Sequence, residues 1–268
     1  MVTLPFAGRR KDKPSPDNMT LGEHLGELRR RLIICVIAFV VAATVAVFAY
    51  QPILNFLIHP LCSVDTSTVH RTSTGGSSLL VASNGTCSLF VTSPLDGLSL
   101  RVKIALFGGL VLASPVILFQ AWRFITPGLK ASERRYAVPF VLSSFVLFLA
   151  GAATAYFTLP HALSWLKSVG GPNLQAIYDP IPYLGLILLM MTIFGLTFEF
   201  PVILVSLELA RVVSPAALLR SWRWAVIIIV VVAAVFTPSS DPFSMFALAI
   251  PLVAFYFISI GIGKLLGR

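Results

Sequence analysis

The chain has 268 residues, of which 57% are apolar and only 12% charged, and its mean hydropathy is +0.89. A soluble domain carries about 25% charged residues, so this chain has too few to cover a water-facing surface and its main solvent is lipid. The 20 Lys+Arg against 11 Asp+Glu give a formal net charge of +9; they flank apolar runs, which points to membrane orientation and anionic lipid head groups and away from nucleic acid.

Met1–Asn18, rich in Pro and charge, predicts a disordered tail ahead of a membrane domain over residues 19–268. The long polar start and a full-length first apolar run without an A-x-A site predict no cleavable signal peptide. Leu21, Leu25, Leu28 and Leu32 recur at helical spacing, so an amphipathic helix leads into the first span. Thr20-x-x-Glu23 has the pattern of a capping box, and Glu27 can pair with Arg31 one turn on, worth about 0.3–0.5 kcal/mol in water.

The charge-free runs are Leu32–Ile58, Ile104–Trp122, Tyr136–Pro160 and Ile181–Phe198, the last resuming beyond Glu199 to Leu207. Trp224–Ser240 and Pro242–Gly263 complete the series. About 20 apolar residues cross the hydrocarbon layer, and four runs meet this comfortably. The last two are divided by the polar, Pro-rich Thr237–Pro242 turn and predict two short helices in a hairpin. The fold class is therefore all-α, with six transmembrane helices. Sixteen of the basic residues fall on the side of the N-terminus and four on the other, a positive-inside bias that puts both termini in the cytoplasm.

The first outside loop, His59–Ser93, is rich in Ser, Thr and Gly and holds Cys62 and Cys87. A disulfide between them would close about 25 residues and stabilise the loop by about 3 kcal/mol; the alternative is two free thiols. Cys35 lies within the first span, where packing accounts for it.

The carboxylates are few enough to weigh singly. Glu23 and Glu27 have structural readings as cap and ion-pair partner. Glu133, after the Pro127-Gly128 turn, suits the start of the next helix, but with Glu27 it also makes an acidic spot on a basic face that would select a cationic ligand. Glu199 lies inside the fourth span, where an ionised group costs about 2.5–3.5 kcal/mol, which makes it a functional candidate. Pro201 beside it favours a kink. Glu208 is nearer the end of that span, within reach of interface water or Arg211, and has a structural reading. His24, His59, His70 and His161 form no metal-ligand spacing, and no G-x-S-x-G, Walker A or HExxH motif occurs. Neither an enzyme, a metal nor a cofactor is expected.

Four ordered motifs resemble the TatC family, the multi-spanning subunit of twin-arginine protein translocases. They are His24-Leu25-Gly26-Glu27-Leu28-Arg29-Arg30-Arg31-Leu32, Ser114–Leu129 followed by Glu133-Arg134-Arg135, Phe194-Gly195-Leu196-Thr197-Phe198-Glu199-Phe200-Pro201, and Thr237-Pro238 with Asp241. The likeness runs from about Met19 to the C-terminus. It departs in the longer outside loop and in one extra residue within Thr237–Asp241, which leaves the role of Asp241 open.

The resemblance implies a concave, cup-like arrangement of six helices in the bacterial cytoplasmic membrane. It implies a receptor for Arg-Arg signal peptides at Glu27 and Glu133, with Phe124 and Arg29 beside them, and export of folded proteins driven by the proton-motive force. Single-span TatA- and TatB-type subunits would pack near Glu199, within a larger self-assembled receptor complex. The rival readings are a proton- or cation-coupled carrier using Glu199 and a scaffold for other membrane subunits.

Overall fold

Local chemistry sets where several helices begin. The computed structural model describes residues 21–65, 80–83, 86–89, 93–125, 137–170, 179–238 and 241–265. Asp179 caps helix α5 (Pro180–Thr197), its Oδ1 accepting from Ile181 N at 2.9 Å with Pro180 in the first turn. Ser214 caps the short α7 (Pro215–Arg220) with Pro215 again in the first turn, accepting from Ala217 N at 3.3 Å. Asp241 does so for α9 (Pro242–Leu265), with Oδ1 accepting from Ser244 N at 2.7 Å. That settles the open position in the fourth motif: the buried Asp241 starts the last helix.

The remaining helices among the described residues are α1 (Leu21–Phe48), α2 (Tyr50–Asp65), α3 (Asp96–Ile125), α4 (Ala137–Gly170), α6 (Phe200–Leu209) and α8 (Trp222–Phe236). A two-stranded antiparallel hairpin, β1 (Leu80–Ser83) and β2 (Thr86–Leu89), lies between α2 and α3. Five segments are long and apolar enough to cross a membrane, α5 and α6 counting as one, and α8 is a shorter sixth. The six-span expectation holds.

Three boundaries differ from the sequence reading. The Leu32–Ile58 run is divided at Ala49, so the first span ends at Phe48 and α2 is a separate helix. Pro52 has no N–H for the Phe48 carbonyl and sits in the first turn of α2, while Leu57 packs into the core and Ile58 is buried. The outside loop accordingly starts later than His59, since α2 continues to Asp65. Of the last two helices only α8 is short, at 15 residues; α9 has 24 and spans at full length.

The arrangement is open, not a closed bundle. α1 lies mainly on α3, α3 and α5 flank α4, and α9 joins α4, α6 and α8. α5 is the most enclosed element, with Leu184, Ile187, Met190 and Phe194 fully buried at the centre of the core. By contrast α1 presents Ile33, Val36, Ile37, Val40 and Val41, and α8 presents Ile227, Ile228, Val231 and Val235, as apolar surface for lipid or other helices. This open, cup-like layering agrees with the expected architecture.

Glycines allow the closest approaches. A Cβ on Gly109 would stand 2.8 Å from Ala43 Cα of α1, and one on Gly151 would stand 2.5 Å from the Phe194 carbonyl oxygen of α5. Prolines inside helices leave carbonyls without their usual N–H donor, and at two of them a hydroxyl takes over. Pro60 leaves Phe56 O, which accepts from Tyr156 Oη at 3.0 Å. Pro115 leaves Val111 O, which accepts from Ser114 Oγ at 2.7 Å. The adjacent Leu57 O accepts from Tyr183 Oη at 3.0 Å, so α2 is tied to both α4 and α5.

Candidate functional site

Two groups of candidate residues lie along the α1–α3–α4–α5 side of the molecule. The first is at the end where α1 begins and α3 finishes. Successive residues of a helix are turned by about 100°, so the three consecutive arginines of α1 cannot share a face. Arg29 and Arg30 are exposed, whereas Arg31 is only 8% exposed and points at α3. Its Nη2 pairs with Glu27 Oε1, its Nη1 donates to the Gln120 carbonyl at 3.2 Å, and its guanidinium carbon lies 5.8 Å from the centre of the Phe124 ring.

Arg31 therefore brings Glu27 and Phe124 together. The i, i+4 pairing of Glu27 with Arg31 was visible in the spacing, but the reach of Arg31 across to α3 was not, because it depends on which helix packs beside α1. Arg29 shares the segment but faces away from this cluster. Glu133 lies outside the described residues, as do the side chains of Cys62 and Cys87, the Thr20-x-x-Glu23 cap and the Met1–Asn18 tail.

The second group surrounds Glu199 at the joint of α5 and α6. Pro201 has no N–H for the carbonyl four residues back, and Glu199 N bonds to Leu196 O at 3.2 Å, a tightened turn that divides the span in two. A break between α5 and α6 lies where a kink is expected. Glu199 is only 7% exposed. It is ten residues before Leu209, or about 15 Å along the helix, near the middle of a hydrocarbon layer about 30 Å thick. Ser144 of α4 lies beside its carboxylate, and Oε1 has no hydrogen-bond partner among the described residues. Ser144 Oγ in turn accepts from Trp122 Nε1 of α3 at 2.8 Å.

Glu208 departs from its expected place. It is 1% exposed, and neither carboxylate oxygen has a hydrogen-bond partner among the described residues. Arg211, the expected neighbour, is exposed in a left-handed turn at φ 59°. Gly263 of α9 leaves room for the carboxylate, and Pro215 lies against the same spot. The fourth span thus carries two enclosed carboxylates, not one.

The family model described as Sec-independent protein translocase protein (TatC) matches residues 23–251, nearly the whole membrane domain. The chain belongs to the TatC family. The TatC protein of Frankia casuarinae is 43% identical over 262 residues, covering 97% of this chain and 70% of that protein. That of Aquifex aeolicus is 36% identical, covering 93% of this chain and 97% of that one. A crystal structure of a twin-arginine translocase receptor, TatC, has a TM-score of 0.71 at 34% identity, over 90% of this chain and 99% of that one. As a TatC-family chain, this is a multi-spanning membrane component of a Sec-independent protein translocase. The family's first two motifs meet at Arg31, and Trp122 of the second bonds to Ser144 of α4.

Proposed function

We propose that this chain is the signal-peptide receptor and core subunit of a twin-arginine translocase, exporting folded proteins across the bacterial cytoplasmic membrane under the proton-motive force. The observation that carries this reading is the meeting of Glu27 and Phe124 around Arg31 at one end of the molecule. A carboxylate beside an aromatic ring already holds one guanidinium there, so the local chemistry suits another. Glu27 Oε1 is engaged by Arg31, so a peptide arginine shares this carboxylate and takes its second contact elsewhere, at Glu133. Arg29 is exposed on the same segment, where it restricts how a cationic peptide approaches. The positive-inside bias places this end, with both termini, in the cytoplasm, where basic flanks also meet anionic lipid.

Two carboxylates alone do not give firm binding, since an exposed ion pair contributes about 0–1 kcal/mol. The hydrophobic segment of the signal supplies the remainder by lying on the apolar flanks. Single-span TatA- and TatB-type subunits meet the chain near Glu199, and several copies assemble into the receptor complex. The test is the affinity of an Arg-Arg signal peptide against its Lys-Lys counterpart, for wild type and for Glu133→Ala in membranes. Tighter binding of Arg-Arg in wild type, with most of the preference lost in the variant, is expected. Equal binding in all four combinations would reject the receptor reading.

A further inference from the structure

The guanidinium site at the start of α1 is already filled, and the group that fills it belongs to the chain. Arg31 makes three kinds of contact: with a carboxylate at Glu27 Oε1, with a carbonyl at Gln120 O, and with the Phe124 ring. The Arg31 side chain is 10% exposed and that of Glu27 is 29% exposed. The guanidinium is thus shut in between α1 and α3, while the carboxylate stays within reach from outside. Arg31 also cancels the charge of Glu27. The other charged side chains described on the adjoining turns, Arg29 and Arg30 of α1 and Arg123 of α3, are cationic and exposed. On these turns, charge alone offers an approaching cation no net attraction.

We propose that Arg31 is a built-in competitor for the arginines of the signal peptide, holding Glu27 when the site is empty and sharing it when a peptide is bound. The inference rests on the proposed receptor role of Glu27 and adds the residue that limits its affinity. A carboxylate offers about four acceptor positions, so an incoming guanidinium still finds lone pairs on Glu27. It bonds, however, to a group whose charge is already spent, and gains less than from a free carboxylate. The second arginine and the hydrophobic segment must supply the difference, so a lone cation is not held. Release is eased for the same reason, because Arg31 stays at its contacts and Glu27 keeps a partner when the peptide leaves.

The experiment measures the Kd of a fluorescent Arg-Arg signal peptide and of its Lys-Lys counterpart on the full chain in membranes. The variants are Arg31→Met, which keeps an unbranched apolar stem without charge, and Arg31→Lys, which keeps the charge. Arg31→Met is also made in the Glu27→Gln background, where the carboxylate charge is gone. An exposed ion pair has modest strength, so Arg31→Met should tighten binding of the Arg-Arg peptide about twofold to fivefold. The gain should shrink as salt is added. Arg31→Lys should stay near wild type, and Glu27→Gln should abolish the gain, since Arg31 acts through that carboxylate. Loss of folded protein lowers the amount of peptide bound and not the Kd, so it cannot imitate a tightening.

Weaker binding by both Arg31→Met and Arg31→Lys would show a purely structural role and overturn the inference. Unchanged affinity in Arg31→Met, with wild type still preferring Arg-Arg, would also overturn it while leaving the receptor reading intact. A gain that persists in the Glu27→Gln background would show that Arg31 does not act through Glu27, with the same consequence. Equal binding of the Arg-Arg and Lys-Lys peptides by wild type would remove the receptor reading and this inference with it.

Discussion

Two side chains show how far a single residue's surroundings change its meaning. Arg31 is nearly enclosed, and its charge is compensated by Glu27 and the Gln120 carbonyl. Removing Glu27 outright therefore does more than delete the proposed peptide contact, because it leaves a buried guanidinium short of a partner. Glu27→Ala should cost about 1–2 kcal/mol of stability, below the roughly 3–5 kcal/mol of a fully buried pair, while Glu27→Gln keeps an acceptor and costs less. Thermal unfolding of both variants in detergent checks this ordering, and equal melting would contradict it. Glu208 is the opposite case, a carboxylate enclosed without any hydrogen bond among the described residues. Replacing such a group by an apolar one of similar volume relieves its desolvation, so Glu208→Leu should raise stability by about 1–2 kcal/mol. A fall of the same size would show that the carboxylate has an essential partner. Sequence spacing indicated the Glu27–Arg31 pair but misjudged Glu208, because only the packing of α9 shows that the side chain is shut away from Arg211.

At the level of elements, helix starts and close approaches carry the stability argument. The Asp241 side chain accepts from Ser244 N, so Asp241→Ala should cost about 1 kcal/mol and loosen the first turn of α9. Asp241→Asn, which retains an acceptor, should cost less, and the two melting curves separate capping from charge. At Gly151 any side chain meets the backbone of α5, which cannot swing aside as a flexible side chain can. Gly151→Val should cost about 1–3 kcal/mol through overpacking and should displace Glu199 relative to Ser144. Reduced capture of a single-span subunit together with a lower melting temperature is the expected pair of results. The sequence marked the kink at Glu199-Pro201 because proline chemistry is local. It missed the break at Ala49, although Pro52 three residues on has no N–H for the Phe48 carbonyl and suits the first turn of a new helix; the inward packing of Leu57 was what the spacing did not show.

For the whole molecule, the apolar runs and four motifs made the six-span TatC-family fold legible, since each span is set by length and hydropathy alone. Which motifs touch was not legible. Arg31 bridging to Gln120 and Phe124, and Trp122 donating to Ser144, are properties of helix packing between segments about 20 to 90 residues apart in the chain. The close of α3 thus contacts both α1, through Gln120 and Phe124, and α4, through Trp122. On the proposed receptor reading, first contact with cargo is beside α1 and α3. The most direct measurement places a photoreactive group next to the arginine pair of a signal peptide and maps the crosslinked residues on the full chain in membranes. Crosslinks are predicted within residues 25–31 and 124–135, and they should fade when the pair is changed to lysines. Crosslinks confined to α8 and α9, or equally strong with lysines, would contradict the account.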